Sequence, residues 1–439
     1  MFKKPLKYYL IYIVITMLIS FFGPAKYDNY DKVSVFWFML AYMICISIGY
    51  IIGLKIKLKT VNTSTIIHDE RVSQKDKDIL PLLKVSILIA LAGVSIEIIE
   101  LLAKNPAVFR LSNIGINYIE VRQQLEISSG YTIGILIRFF TGFFRIIVMT
   151  VGLYNFKKVS KNYKIAIIIF YILTILVNGV AYGTQKVLGD MLIYGAIVAL
   201  LKMRSISRKN RIKIFVTIIL VGILFISYVV INQVQRYEQI GVDVFNYGEK
   251  TVNGVYYDSD NFIFKIFGYR YGFGLSALLT GYLSAGYYGL SLCLKLPFKW
   301  TYGIGSSYIL SKFLNEYLGL PYFYLDTYLN RMELQYGRMG AKAWNTVFPW
   351  LASDLTFLGA LLLFIPIGVV FAIAWRETIQ YENPISIVMV ATIVLGLIYV
   401  PCNNQLFIGI DGFISTWVII FYWIFNHNKF NLKRGNGIC

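Results

Sequence analysis

Apolar residues in this chain recur in unbroken runs of about 16 to 24 residues, each close to the roughly 20 that a helix needs to cross the hydrocarbon layer. They are separated by short polar connections. The runs fall at 8–23, 33–54, 85–103, 132–154, 165–182, 187–201, 214–231, 352–374, 385–400 and 406–425. This pattern predicts an all-α polytopic transmembrane bundle of ten spans. The first run follows a basic start, Lys3, Lys4 and Lys7, with no small-residue cleavage site, and reads as an uncleaved first span. One further stretch, 273–296, is apolar enough to enter a membrane but carries four glycines and several tyrosines. A single crossing there would break the parity of the ends, and 300–325 is a poor return span because Gly303, Gly305, Lys312 and Glu316 interrupt it. The expectation is therefore a re-entrant or surface-lying helix pair, with twelve spans as the alternative.

Composition agrees with lipid as the solvent. Of 439 residues, 57% are hydrophobic and 15% charged, with a mean hydropathy of +0.63. The formal charge of +19 is a topology signal more than a sign of nucleic acid. The segments 1–7, 55–84, 155–164, 202–213, 375–384 and 426–439 hold 24 basic against 6 acidic residues; the alternate segments, twice as long in total, hold 16 against 12. Basic short loops stay in the cytoplasm, so both ends are expected on the cytoplasmic side and 232–351 on the outer side. No linker or internal repeat divides the chain, which reads as one domain. Cys45, Cys293, Cys402 and Cys439 show no paired spacing.

The long segment 232–350 holds 28 of the 72 aromatic residues, among them Tyr256, Tyr257, Tyr287, Tyr288, Trp300, Tyr322, Tyr324, Trp344 and Trp350. An interfacial belt accounts for about half of them. The rest keep company with Arg236, Arg270, Asp326, Arg331, Glu333, Arg338 and Lys342, and aromatic faces with polar neighbours suit the C–H face and hydroxyl rim of a pyranose. Tyr287, Tyr288, Trp300 and Trp344 are the candidate glycan contacts.

Ionisable residues inside a span need partners. Arg138 and Arg145, seven residues apart, share a helix face; they suit a diphosphate, which planar donors bind in pairs, or an internal ion pair with Glu97 or Glu100. Arg270 and Lys186 are further candidate diphosphate ligands, and Lys186 with Asp190 has the spacing of a helix ion pair. Asp354 can cap the start of its span or, like Asp326 or Glu333, take a proton from a sugar hydroxyl. The triplet Asp258–Ser259–Asp260 is a weak metal motif, and His68 and His427 both fall in expected cytoplasmic segments, so no outer-face histidine base is available. No metal or cofactor is expected.

Three stretches, Gly281–Leu292 (GYLSAGYYGLSL), Trp300–Ser307 (WTYGIGSS) and Trp344–Gly359 (WNTVFPWLASDLTFLG), together with the span count and the late long outer segment, resemble the oligosaccharide repeat-unit polymerases, also called O-antigen polymerases. The resemblance implies a glycosyltransferase that joins repeat units carried on undecaprenyl diphosphate at the outer face of the plasma membrane, alongside flippase and chain-length regulator proteins and without nucleic acid. The related O-antigen ligases use an outer-face histidine that this chain lacks. On that reading Arg138, Arg145 and Arg270 stabilise the diphosphate leaving group, and Asp326, Glu333 or Asp354 assists deprotonation of the acceptor hydroxyl. A lipid-linked oligosaccharide flippase is one alternative. Another polyprenyl-phosphate glycosyltransferase, using Asp28 and Asp31 of the first outer loop, is a second.

Overall fold

A computed structural model describes residues 2–58, 68–110, 117, 133–239, 255–258, 260–340 and 343–427. Lys342, Ser259 and Cys439 lie outside the described residues. In chain order the helices are α1 Lys4–Phe22, α2 Lys32–Lys55, α3 His68–Lys104, α4 Ile133–Ile147, α5 Lys161–Ile175, α6 Lys186–Lys202, α7 Arg208–Gln239, α8 Phe262–Ala277, α9 Ala285–Cys293, α10 Tyr308–Leu318, α11 Tyr322–Leu325, α12 Tyr328–Tyr336, α13 Val347–Tyr381, α14 Pro384–Tyr399 and α15 Ile410–Asn426. The α4, α5 and α8 helices each run on into a π-helical turn, Val148–Gly152, Leu176–Ala181 and Leu278–Tyr282. Each of the ten apolar runs coincides with a helix. Among the described residues six helices, α1, α2, the Leu80–Lys104 part of α3, α5 with its π-turn, α7 and α13, are long and apolar enough to cross a membrane.

The helical expectation needs one amendment. Strand β1 (Ala25–Tyr27) pairs antiparallel with β2 (Val255–Tyr257), Lys26 opposite Tyr256, and Tyr257, Phe264 and Phe273 bury Ala25 beneath the ribbon. Alternation at so few residues is too short a signal to stand out in a sequence.

The chain was read as one domain; its described residues group into two compact units. The first comprises Met1–Ile56, Val229–Ile373 and Ile393–Phe413, the second Lys57–Tyr228, Ala374–Thr392 and Ile414–Cys439. In the first unit α2 and α13 meet backbone to backbone. A Cβ on Gly49 would lie 2.0 Å from the carbonyl oxygen of Ile365, one on Gly53 2.6 Å from that of Val369, and one on Gly368 2.5 Å from that of Ile46. Gly49 and Gly53 are a small-xxx-small pair, the device by which helices approach closely where lipid removes the hydrophobic drive. Beside this seam Phe38, Tyr42, Phe348 and Phe364 interlock, three pairs edge to face at 4.6 to 5.1 Å and Phe348–Phe364 tilted at 5.6 Å. Hydroxyl pairs tie in α1: Tyr9 bonds to Tyr42, and Thr16 to Tyr287 at 2.9 Å.

The stretch 273–296 folds as two helical pieces, the end of α8 with its π-helical turn and then α9, broken at Leu283 and Ser284. The surface-lying version is overturned, because every residue of α9 is buried. Its glycines explain why: a Cβ on Gly286 would meet the carbonyl oxygen of Pro401 at 2.1 Å and the amide of Thr346 at 2.6 Å, and one on Gly289 the Asn345 side-chain oxygen at 1.9 Å. A helix break is tolerated in such surroundings because protein, not lipid, faces it. The poor return span 300–325 folds as the 11-residue α10, about 16 Å long, which Gly319 ends in a left-handed cap (φ 63°).

In the second unit α3 packs along α4 and α5. In the same unit Glu377 of α13, wholly buried, accepts from the Ser386 hydroxyl and bonds to His427 at 2.6 Å, while the Trp423 indole donates to Ser386 and stacks on the imidazole at 4.5 Å.

Candidate functional site

In the first unit the three resembling stretches, 281–292, 300–307 and 344–359, come together. The α9 glycines seat against Asn345 and Thr346, and the loop 300–307 folds onto Ser353 and Asp354. The sequence separates these segments by up to fifty residues, so only folding makes them one place.

The loop is held by a single carboxylate. Asp354 accepts from the Thr301 hydroxyl at 2.5 Å and from the backbone N–H groups of Gly303 (2.9 Å), Gly305 (3.1 Å) and Ser306 (2.7 Å); the Thr301 amide and hydroxyl also reach the Ser353 carbonyl. Successive N–H groups turned inward form a concave nest that favours negative charge, and here a side chain of the same protein fills it. Gly303 has a φ of 84°, and Gly305 sits so close to Thr301 that a Cβ would lie 2.1 Å from its hydroxyl oxygen. Tyr302, with a φ of 55°, has no such freedom and is retained in the left-handed region by the bonds on either side.

This geometry corrects the capping role expected of Asp354. The helix begins at Val347, and Asp354 lies two turns in, just before a kink at Thr356, whose φ of 64° is foreign to a β-branched residue. It is Thr356 that caps the continuing helix, its hydroxyl accepting from the Gly359 N–H at 3.2 Å. With both oxygens occupied, Asp354 holds the loop and does not reach out for a substrate proton.

What the loop presents is aromatic. Trp300 and Tyr302 are 56% and 61% exposed, their ring centres 4.6 Å apart, and Phe323 and the exposed Tyr322 continue the patch. Lys299 pairs with Asp326 at 2.9 Å beside it. Of the candidate glycan contacts, Trp300 thus lies on an exposed face, and Trp344 is half-buried against Tyr282. Tyr287 and Tyr288 do not: both are in the interior, Tyr287 bonded to Thr16 and Tyr288 under the Arg338 guanidinium, so neither offers a face to a sugar. Burial of α9 on both sides, not visible in an alternation of glycine and tyrosine, is the reason.

The remaining charges have structural partners. Glu333 accepts from the Gly340 N–H at 2.8 Å. Arg270 makes a two-point pair with Glu238, Nε to Oε1 at 2.8 Å and Nη2 to Oε2 at 3.0 Å, and that carboxylate raises its pKa. Arg338, 3% exposed, donates to the carbonyls of Ala285 and Trp344 and to Asn345, and burial lowers its pKa. Asp258 pairs with Lys26 at 3.6 Å and accepts from the Asp260 amide. Asp31 caps α2, accepting from the Ser34 amide and hydroxyl, which lower its pKa.

In the second unit the internal ion pair expected for Arg138 and Arg145 is formed. Glu97, with no exposure, takes Arg138 Nε and Nη2 on Oε2 (2.9 and 2.8 Å) and Arg145 Nη2 on Oε1 (2.5 Å). Two guanidinium groups thus meet on one carboxylate among apolar helices. Glu100 pairs instead with Lys104 and accepts the Gly134 N–H at the start of α4. Tyr182 lies under the Arg138 guanidinium at 4.7 Å, and Gly93 leaves the space that Arg145 fills, since a Cβ there would meet Nη2 at 3.1 Å. Lys186, at the first turn of α6, is half-buried.

Sequence reasoning missed the Asp354-held loop, the exposed Tyr302 and the half-buried Phe323 beside it. The run Gly303–Ile–Gly–Ser–Ser307 was the available signal, since closely spaced glycines and serines are what a nest of N–H groups requires. No protein-family model, no curated protein and no solved structure matches this chain.

Proposed function

We propose that this chain is a membrane glycosyltransferase that polymerises undecaprenyl-diphosphate-linked oligosaccharide repeat units at the outer face of the bacterial plasma membrane, with ten spans and both ends cytoplasmic. The observation that carries the reading is the meeting of the three resembling stretches around one exposed aromatic patch. Trp300, Tyr302, Tyr322 and Phe323 would stack on the glycan, and the rigid loop beneath them lowers the entropy lost on binding. The growing chain on its diphosphate is the donor; an acceptor hydroxyl of one repeat unit attacks the anomeric carbon and the diphosphate leaves. Arg138, Arg145, Arg270 and Lys186 are the basic residues proposed for that leaving group, since planar and point-charge donors suit a diphosphate. Among the three carboxylates, Asp326 suits the deprotonating role best, since Asp354 and Glu333 hold backbone.

A deletion strain tests this. Loss of long-chain glycan with single repeat units still displayed is the expected result, restored by the wild-type gene and not by Trp300→Ala with Tyr302→Ala. Absence of all surface units would point to the flippase reading, and unchanged chain-length ladders would end the assignment.

A further inference from the structure

In the first part of α8, outside the ten apolar runs, five large side chains stand in the open: Phe262, Ile266, Phe267, Tyr269 and Tyr271 are each 51 to 67% exposed. Apolar side chains gathered at that exposure mark a surface that another body covers. Two apolar helices show which body. The Asp258 amide donates to the carbonyl of Pro24 at 3.0 Å, two residues past the end of α1, where the β1–β2 ribbon begins. On the other side Arg270 grips Glu238 in the last turn of α7, and Gly274 lies against the same helix further back, where a Cβ would meet the Val230 carbonyl oxygen at 2.8 Å and the Val234 side chain at 3.0 Å. Tyr237 of α7 stands edge-on to Phe273 at 4.8 Å, and Phe273 edge-on to Tyr257 at 5.2 Å. The buried side of α8 is thus fixed to the C-terminal ends of two helices that are apolar enough to cross a membrane. The exposed Phe22 and Ile231 carry the apolar surface of those helices up to the same level, where a spanning helix leaves the hydrocarbon.

The backbone limits the depth. Gly268 breaks α8 with a φ of 68°, and the space beside its Cα is open. Such a break facing lipid is not tolerated inside the hydrocarbon layer, where no water reaches the freed N–H and C=O groups. Charge adds little: Glu238 neutralises Arg270, which leaves the exposed Lys265, whose stem lies along apolar surface while its ammonium stays in water. We propose that 262–271 is an interfacial anchor, lying in the leaflet at the C-terminal ends of α1 and α7 with Phe262, Ile266 and Phe267 at the acyl boundary and Tyr269 and Tyr271 among the headgroups. Its partner is a phospholipid surface held by apolar contact, for which zwitterionic lipid suffices. The inference needs the apolar spans and is independent of the polymerase reading.

The test uses the full chain in phosphatidylcholine nanodiscs, with Cys45 and Cys439 changed to alanine, the buried Cys293 and Cys402 retained, and a nitroxide attached to Ile266→Cys or Phe267→Cys. Both side chains are exposed, so the label leaves the packing of α8 intact. Collision with oxygen, set against collision with a water-soluble nickel chelate, should place both labels about 5 to 10 Å into the headgroup–acyl boundary, shallower than a label on Ile15→Cys within α1. Adding phosphatidylglycerol should leave that depth unchanged. Nickel accessibility equal to that of free nitroxide in buffer would put the segment in water. Screening from both reagents would put protein over it, and insertion only with phosphatidylglycerol would make the contact electrostatic. Each of these three results overturns the proposal, and none of them bears on the glycan ladders of the deletion strain.

Discussion

Replacing Glu97 by alanine removes the carboxylate that two guanidinium groups share, and the structure sets the size of the effect. Exposed ion pairs contribute about 0 to 1 kcal/mol, whereas taking one partner from a buried pair costs about 3 to 5 kcal/mol because a charge is left uncompensated. Glu97 is 0% exposed, the Arg145 side chain 11% and the Arg138 side chain 24%, so the Arg145 half stands near the buried limit and the Arg138 half is partly relieved by solvent. Glu97→Ala should therefore destabilise the protein by about 3 kcal/mol, measured as equilibrium unfolding in mixed micelles. In an Arg145→Ala background the same change should cost at least about 1 kcal/mol less, because only one guanidinium then loses its partner. A Glu97→Ala protein within about 0.5 kcal/mol of wild type, or strict additivity in the double mutant, would refute the shared-carboxylate account. The distinction matters for function: if the network is weak, the arginines are free to serve an anion without it.

Asp354→Asn should loosen the loop 299–307, since charge-assisted bonds of about 1.5 to 3 kcal/mol each become neutral ones; limited proteolysis there should run at least about tenfold faster, with wild-type rates counting against the lock. Gly49→Val should cost about 1 to 3 kcal/mol or more by forcing α2 away from the Ile365 carbonyl, read as a lowered unfolding midpoint, and a neutral result would mean the two backbones are not in contact. Asp31 contributes its cap only while ionised. Its folded pKa is lowered, so the stabilisation is full above the usual carboxylate value of about 3.9 and is lost as the pH falls through the lower folded value; Asp31→Ala should flatten that acid limb of a stability–pH curve.

Hydrophobic periodicity alone placed all ten apolar helices, because a run of some twenty apolar residues has few other ways to satisfy its backbone. The Arg138–Glu97–Arg145 network was legible for a similar reason: a guanidinium in such a run demands a carboxylate, and Glu97 on the preceding helix was within reach. Tertiary structure decided the rest. That Asp354 would grip a loop fifty residues earlier, and that Tyr287 and Tyr288 would turn inward while Trp300 and Tyr302 stayed out, both depend on which helix faces which. Residue type determines the solvent a segment prefers and the partners a charge requires; the distances between segments remote in the chain, and hence which side chains share a site, are set only when the backbones of α2, α9 and α13 close on their glycines.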